Sequence, residues 1–215
     1  MKSEKKKKGK GEEIVRLNRE LSILNAISQT VNESIDLDEI LNKSLDKIVE
    51  MTEIQSVGIY LLEEKTGELV YVAHKGFSMA FSKGMKRLKL GDGVTGKAAI
   101  SGEPIFIEDY PGYPEAIPFA IEEGLKSLAV IPLKSREKIY GTLNIARKEF
   151  YPFTPSTRNF FNSIGQIIGS ALERASLYTE NVKRLEEQKS LYAISKEIAS
   201  KLELNVILEK IIQSA

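Results

Sequence analysis

Residues able to do chemistry are few in this chain. Among 215 residues there is no cysteine and a single histidine, His74. Without cysteine there is no thiolate nucleophile, disulfide, Cys-ligated zinc or iron–sulfur cluster. One histidine cannot build a multi-histidine metal site and permits at most one histidine-dependent catalytic centre. The adjacent carboxylates Glu108 and Asp109 are the other acid–base candidates, but neighbours on a strand point to opposite faces and do not act together easily. This inventory disfavours an enzyme. Aromatic residues form the more informative pattern. Of eight Tyr and eight Phe, the rings of Phe77, Phe81, Phe106, Tyr110, Tyr113 and Phe119 fall within residues 77–119, the least regular stretch of the chain. Apolar walls with a few convergent polar groups suit a small-molecule site, and Glu108, Asp109 and the Tyr110 hydroxyl could supply the polar part. The same rings could instead fill the space that a ligand would take. Gly91-Asp-Gly-Val-Thr-Gly96 allows a tight reversal into a helix. With Lys97 the only nearby cation and no P-loop pattern, it reads as a structural turn before an anion cradle.

The elements that must position these groups follow from periodicity. Ile14, Leu17, Leu21, Leu24, Ser28, Val31 and Ile35 alternate by three and four, which predicts a helix over residues 12–35 with one coiled-coil seam. Ile23 and Ile27 form a second apolar row that could face the helix's own domain. Asp36 or Ser34 can cap a helix over residues 37–51. From Gln55 the period becomes strand-like: Ser56 to Leu62 and Leu69 to His74 pair as a hairpin around Lys65-Thr-Gly67. A loop with a short helix over Gly76 to Gly84, a brief strand at Leu88 to Leu90, a helix from Lys97 to Ser101 and a strand at Pro104 to Ile107 come next. A proline-rich stretch follows, with a short helix near Phe119 to Glu123. A second hairpin joins Ser127–Leu133 to Ile139–Ala146. The last helix opens near Thr154, and Ile164, Ile168, Ala171, Ala175, Tyr178, Val182 and Leu185 again alternate by four and three. No Gly or Pro interrupts it after Ser170, as in coiled coils and interdomain rods.

An internal repeat organises the chain. Ala26-Ile-Ser28 recurs as Ala193-Ile-Ser195, and the same offset matches Leu24 to Leu191, Leu37 to Leu204, Ile40 to Ile207 and Leu41 to Leu208. This predicts a tandem array whose second copy stops after its opening helices. Residues 1–11 hold six lysines and one glutamate, a local +5, so the remainder carries −4 of the formal +1. The lysine run is expected to be a solvated, disordered tail, with contact to anionic lipid or nucleic acid as the alternative. The mildly acidic body does not look made for nucleic acid. No apolar run reaches the length of about 20 residues that a membrane helix needs. Glu12 and Glu13 stand where a secretory signal would turn apolar, so a cytoplasmic location is expected.

The order of these elements, with Gly91-Asp-Gly-Val-Thr-Gly96, Gly102-Glu-Pro-Ile-Phe-Ile-Glu-Asp109, Ser127-Leu-Ala-Val-Ile-Pro-Leu133, Gly141-Thr-Leu-Asn-Ile-Ala146 and Phe153-Thr154 in sequence, resembles the GAF domain family. The resemblance implies an α+β fold: a central antiparallel sheet with helices on one face and ligand-pocket loops and short helices on the other. Long coiled-coil helices would flank it at both termini. The domain plan is then a basic tail at 1–11, a connector helix at 12–35, a GAF domain at 36–172, a signalling helix at 173–188 and the start of a second copy at 189–215. The pocket candidates are Phe77, Phe81, Phe106, Asp109, Tyr110, Tyr113 and Phe119. The dimer-seam candidates are Leu17, Leu21, Leu24, Val31, Ile164, Ile168, Ala175, Tyr178 and Val182. Cyclic-nucleotide-binding members carry Asn-Lys, a later Phe, then Asp-Glu; here Lys148 and Phe153 match, but Arg147 replaces Asn and Thr157-Arg158 replaces Asp-Glu. That argues against cyclic nucleotides. Bilin-binding members and the free-methionine-sulfoxide reductases of this fold need cysteine. Haem would rest on His74 alone, for which a structural role is preferred. The resemblance to tandem-GAF sensors implies a homodimeric input module, most often of a histidine kinase, with a cyclase or transcriptional activator as alternatives. A ligand-free dimerisation spacer is the competing expectation.

Overall fold

Asp36 accepts a hydrogen bond from the Glu39 N–H at 2.9 Å, which supplies an acceptor to one of the unpaired amides that open any helix. It thereby starts α2 (Leu37–Met51), whose Ile40, Leu41, Leu45 and Ile48 form one buried stripe. The structure is a computed structural model that describes the backbone of residues 2–213 and the side chains of residue 11 and residues 13–196. Before α2 runs α1 (Lys2–Asn32), which begins inside the lysine run expected to be an irregular tail. Lysine is a good helix former, so the helical pattern propagates through it.

The sheet has six strands, β1 (Ser56–Glu63), β2 (Glu68–Lys75), β3 (Arg87–Lys89), β4 (Ile105–Ile107), β5 (Ser127–Ser135) and β6 (Lys138–Arg147), in the order β3-β2-β1-β6-β5-β4. Every pairing is antiparallel. Three short helices, α3 (Met79–Gly84), α4 (Gly93–Ser101) and α5 (Pro118–Glu122), connect the strands. The helix α4 begins at Gly93 and not at Lys97, so the end of the glycine-rich segment is already the first turn of a helix, and Gly91 and Gly93, both at positive φ, reverse the chain into it. The last helix, α6, spans Pro155–Gln213.

Strand alternation divides the buried residues between two faces. On one, Leu128, Val130 and Ala146 cluster with Val94 and Ala98 of α4, Phe81 of α3 and Ala120 of α5. On the other, Ile131 lies under α6, as Gly165 and Gly169 show. A Cβ added at Gly165 would meet Ile131 Cγ2 at 2.6 Å, and one at Gly169 would meet the Lys134 carbonyl oxygen at 2.4 Å. Those two glycines let α6 lie close on β5. Ile164 and Ile168 of the same helix are fully buried, as are Ile27 of α1 and Leu45 of α2. Arg174 donates to the Val31 carbonyl at 2.8 Å, giving an acceptor at the end of α1 its partner.

Met1–Arg174 forms one compact unit, to which α6 contributes residues 155–174, and Ala175–Ala215 forms a second. The backbone of α6 is continuous to Gln213, through the positions that align with the loop between α1 and α2 of the first copy. Where the first copy has Asp36 the second has Glu203, a stronger helix former and a poorer cap.

Candidate functional site

Between the sheet and the layer formed by α3, α4 and α5 lies a cavity of about 120 Å³. An apolar cavity of about 150 Å³ holds benzene, so this one suits a ligand of that size or smaller. Its walls are largely aromatic. Tyr60 of β1 and Tyr71 of β2 are paired across the hairpin and stack at 4.5 Å between ring centroids. Tyr71 continues to Phe77 at 6.4 Å, Phe77 to Phe81 at 4.8 Å, and Phe81 to Phe119 behind it at 5.6 Å. The Tyr71 ring covers β1 at a residue without a side chain: a Cβ at Gly58 would stand 2.2 Å from the Tyr71 hydroxyl oxygen.

Polar groups enter from three sides. Asn144 of β6 donates from Nδ2 to Thr95 Oγ1 at 2.7 Å and accepts at Oδ1 from Thr142 Oγ1 at 3.0 Å. The Tyr60 hydroxyl donates to the Met85 carbonyl at 2.9 Å, and the Tyr110 hydroxyl accepts from the Ile117 N–H at 3.2 Å. Asp92 occupies the N-cap position of α4 without a side-chain capping bond and lines the cavity from its exposed rim. Burial pushes the Tyr60 phenol above its ordinary value near 10. It does the same for Tyr71, with added repulsion from Tyr60 and Glu123. Both phenols are therefore held in the neutral form. The outer wall is held by Glu123, at the end of α5, which accepts from the Ser78 N–H at 2.7 Å and the Ser78 hydroxyl at 2.6 Å. Ser78 is also the N-cap of α3, so one carboxylate ties both covering helices together.

Of the residues singled out by sequence, Phe77, Phe81 and Tyr110 line this cavity. Phe119 and Tyr113 pack behind its wall. Phe106 and Asp109 lie elsewhere. Alternation along β4 sends Ile105 and Ile107 to the cavity side and Phe106 to the other face, where it meets Phe153 at 5.3 Å under the Arg158 guanidinium. Asp109 follows the strand and accepts from the Gly112 N–H at 3.0 Å, a turn-forming role. Glu108 accepts from the Phe153 N–H and pairs with Arg158. The residues missed, Tyr60, Tyr71 and Asn144, lie within strands; the observed turn takes four residues, 64–67, so that Glu63 faces Glu68 and both tyrosines share one face, whereas counting from Lys65-Thr-Gly67 alone puts them on opposite faces. His74 is exposed, stacked on Tyr71 at 5.2 Å with Ser82 Oγ at 3.3 Å from Nδ1. No group of three or more His, Cys, Asp or Glu able to hold a metal occurs among the described residues.

The expected dimer seam divides in the same way. Val31, Ile164 and Ile168 are buried within the first unit and are not available to a second chain; Ala175 is also buried. Leu24 is half-buried, whereas Leu17, Leu21, Tyr178 and Val182 are exposed. The inward row of α1 is the one led by Ile23 and Ile27.

A family model described as "GAF domain" matches residues 34–173, roughly two thirds of the sequence and all six strands. The chain belongs to the GAF domain family. Solved GAF folds superpose on it: the GAF domain of an Acinetobacter phosphoenolpyruvate-protein phosphotransferase has a TM-score of 0.64 at 22% identity, covering 75% of this chain and 97% of that one. Free methionine-R-sulfoxide reductase from Neisseria meningitidis, solved with its substrate, gives 0.66 at 22% identity, covering 74% and 91%. Among curated proteins, sensor histidine kinase YhcY of Bacillus subtilis (strain 168) is 27% identical over 167 residues, 73% of this chain and 43% of the kinase. The Nif-specific regulatory protein of Herbaspirillum seropedicae is 24% identical over 200 residues, 89% of this chain and 36% of that protein. This GAF chain thus spans less than half the length of either curated relative. None of its described helices is long and apolar enough to cross a membrane.

Proposed function

We propose that this chain is a sensory input module of a larger signalling protein. A small molecule occupies the cavity between Tyr60, Tyr71, Phe81 and Asn144, and its presence biases how α1 and α6 pack on the opposite face of the same sheet. The bias is a population shift, limited by the ligand's differential affinity for the two packings. Paired across a homodimer, the two helices pass it to an output domain. A histidine kinase is the favoured output, in keeping with the sensor kinase relative, and a transcriptional activator or diguanylate cyclase is the alternative. The observation that carries the reading is the cavity itself, an aromatic chamber with a hydrogen-bonded Asn at its floor, in a GAF domain. A cytoplasmic position fits an input module of this kind.

One observation favours a second reading. The cavity is smaller than the ~300 Å³ at which small-molecule sites usually begin, as a ligand-free spacer would have it. A thermal-shift screen of the whole chain against benzene-sized neutral and aminated compounds separates the two. Ligand at one hundred times its dissociation constant stabilises by about 2.7 kcal/mol, and the rise should vanish in Tyr71→Trp, whose larger ring fills the chamber. No compound raising Tm, or the same rise in the filled variant, would leave the spacer reading.

A further inference from the structure

Arg147 ends β6 only 8% exposed, and its Nε is the one buried side-chain polar atom without a hydrogen-bond partner among the described residues. Its Nη2 bonds to Glu149, and its guanidinium lies 4.1 Å over the Tyr151 ring. Leaving a buried donor unpaired is costly, the more so for a charged group, so an orphan of this kind points to a missing acceptor. Strand alternation places Arg147 with Leu143 and Ile145, away from Asn144 and the aromatic cavity. There it lines a separate cleft of about 370 Å³, three times the volume of that cavity and within the range of about 300–1,000 Å³ typical of small-molecule sites.

The cleft is bounded by α1, the end of α2 and the beginning of α6. Two more guanidinium groups line it from α1. Among the described residues, Arg16 pairs with Glu20 alone, at 3.9 Å, and Arg19 with the Met51 carbonyl alone, at 3.5 Å. Glu20 and Glu53 are the carboxylates in the lining, while Ile23, Ile54, Phe160 and Phe161 provide an apolar wall. Guanidinium groups match carboxylate and phosphate oxygens by paired, charge-assisted hydrogen bonds. An apolar wall beside them selects an acid that carries a hydrophobic body.

We propose that this cleft is a second ligand site, for a small organic acid whose carboxylate or phosphate is held by Arg147, Arg16 and Arg19 and whose apolar body lies on Phe160 and Phe161. Because its walls come from both α1 and α6, an occupant contacts the two helices that leave the domain. The site does not depend on the aromatic cavity, so failure of either proposal leaves the other standing.

Isothermal titration of the whole chain with benzoate, phenyl phosphate and inorganic phosphate at fixed ionic strength tests it. The expected result is binding of benzoate or phenyl phosphate with Kd below about 1 mM. The tighter of the two identifies the oxyanion, and inorganic phosphate should bind more weakly because it has no apolar body. The Arg16→Gln/Arg19→Gln variant, both of whose sites are exposed on α1, should keep its Tm and lose at least about tenfold in affinity. Lys65→Gln/Lys83→Gln, which removes the same charge at exposed positions elsewhere, should lose little. Absence of binding, equal losses in the two double variants, or phosphate binding as tight as phenyl phosphate would overturn the proposal.

Discussion

Asn144 holds the floor of the aromatic cavity through two side-chain bonds, to Thr95 and from Thr142. Replacing it with the similarly sized Leu leaves two hydroxyls in a desolvated site without their partners. Asn144→Leu should therefore cost about 1–3 kcal/mol of stability, read as a lowered midpoint in urea with an unchanged slope. The two buried phenols make a second prediction. Their folded-state values lie above the unfolded value near 10, so the folded protein retains protons that the unfolded chain releases. Stability is then full below pH 10 and falls as pH rises beyond it. Tyr71→Phe should flatten that decline in urea midpoints measured across the alkaline range, and an unchanged slope would contradict the burial of Tyr71. Residue roles were only partly legible in sequence. Counting rings in the irregular stretch found Phe77, Phe81 and Tyr110, because loops are where a pocket needs cover. It misplaced Phe106, since a three-residue strand is too short to show its alternation, and it passed over Tyr60 and Tyr71, whose strands read simply as core.

At the scale of elements, burial decides what each helix does. Ile168 of α6 is fully buried within the first unit, whereas Leu21 of α1 is 56% exposed and Tyr178 53% exposed. Ile168→Ala should lose about 2–5 kcal/mol. Leu21→Glu should leave Tm at low concentration nearly unchanged and instead shift the proposed homodimer, joined through Leu17, Leu21, Tyr178 and Val182, toward monomer in light scattering. A Leu21→Glu chain of unaltered mass would remove this seam from consideration. Most boundaries were readable because they have local causes: Asp36 caps α2, and the Lys65-Thr-Gly67 turn fixes the first hairpin. Val31, Ile164 and Ile168 entered the expected seam because a three-four spacing describes an apolar stripe without saying whether sheet or second chain covers it. In α6 the covering partner is β5, admitted by Gly165 and Gly169.

At the scale of the molecule, one sheet separates two different chambers. The face toward α3, α4 and α5 holds the small aromatic cavity; the face toward α1 and α6 holds the arginine-lined cleft. The element order that resembled a GAF domain was legible because its motifs sit at turns and strand ends, where spacing is visible in the chain. The cleft was not, since Arg16, Arg19 and Arg147 are brought together only by helix docking. The central proposal, that the aromatic cavity is a ligand site, is tested most directly by native mass spectrometry of the chain purified under gentle conditions from the cells that make it. Wild type should carry a small non-covalent adduct that leaves on collisional activation and is missing from Tyr71→Trp. The bare polypeptide mass in both proteins, or one adduct shared by both, would contradict it.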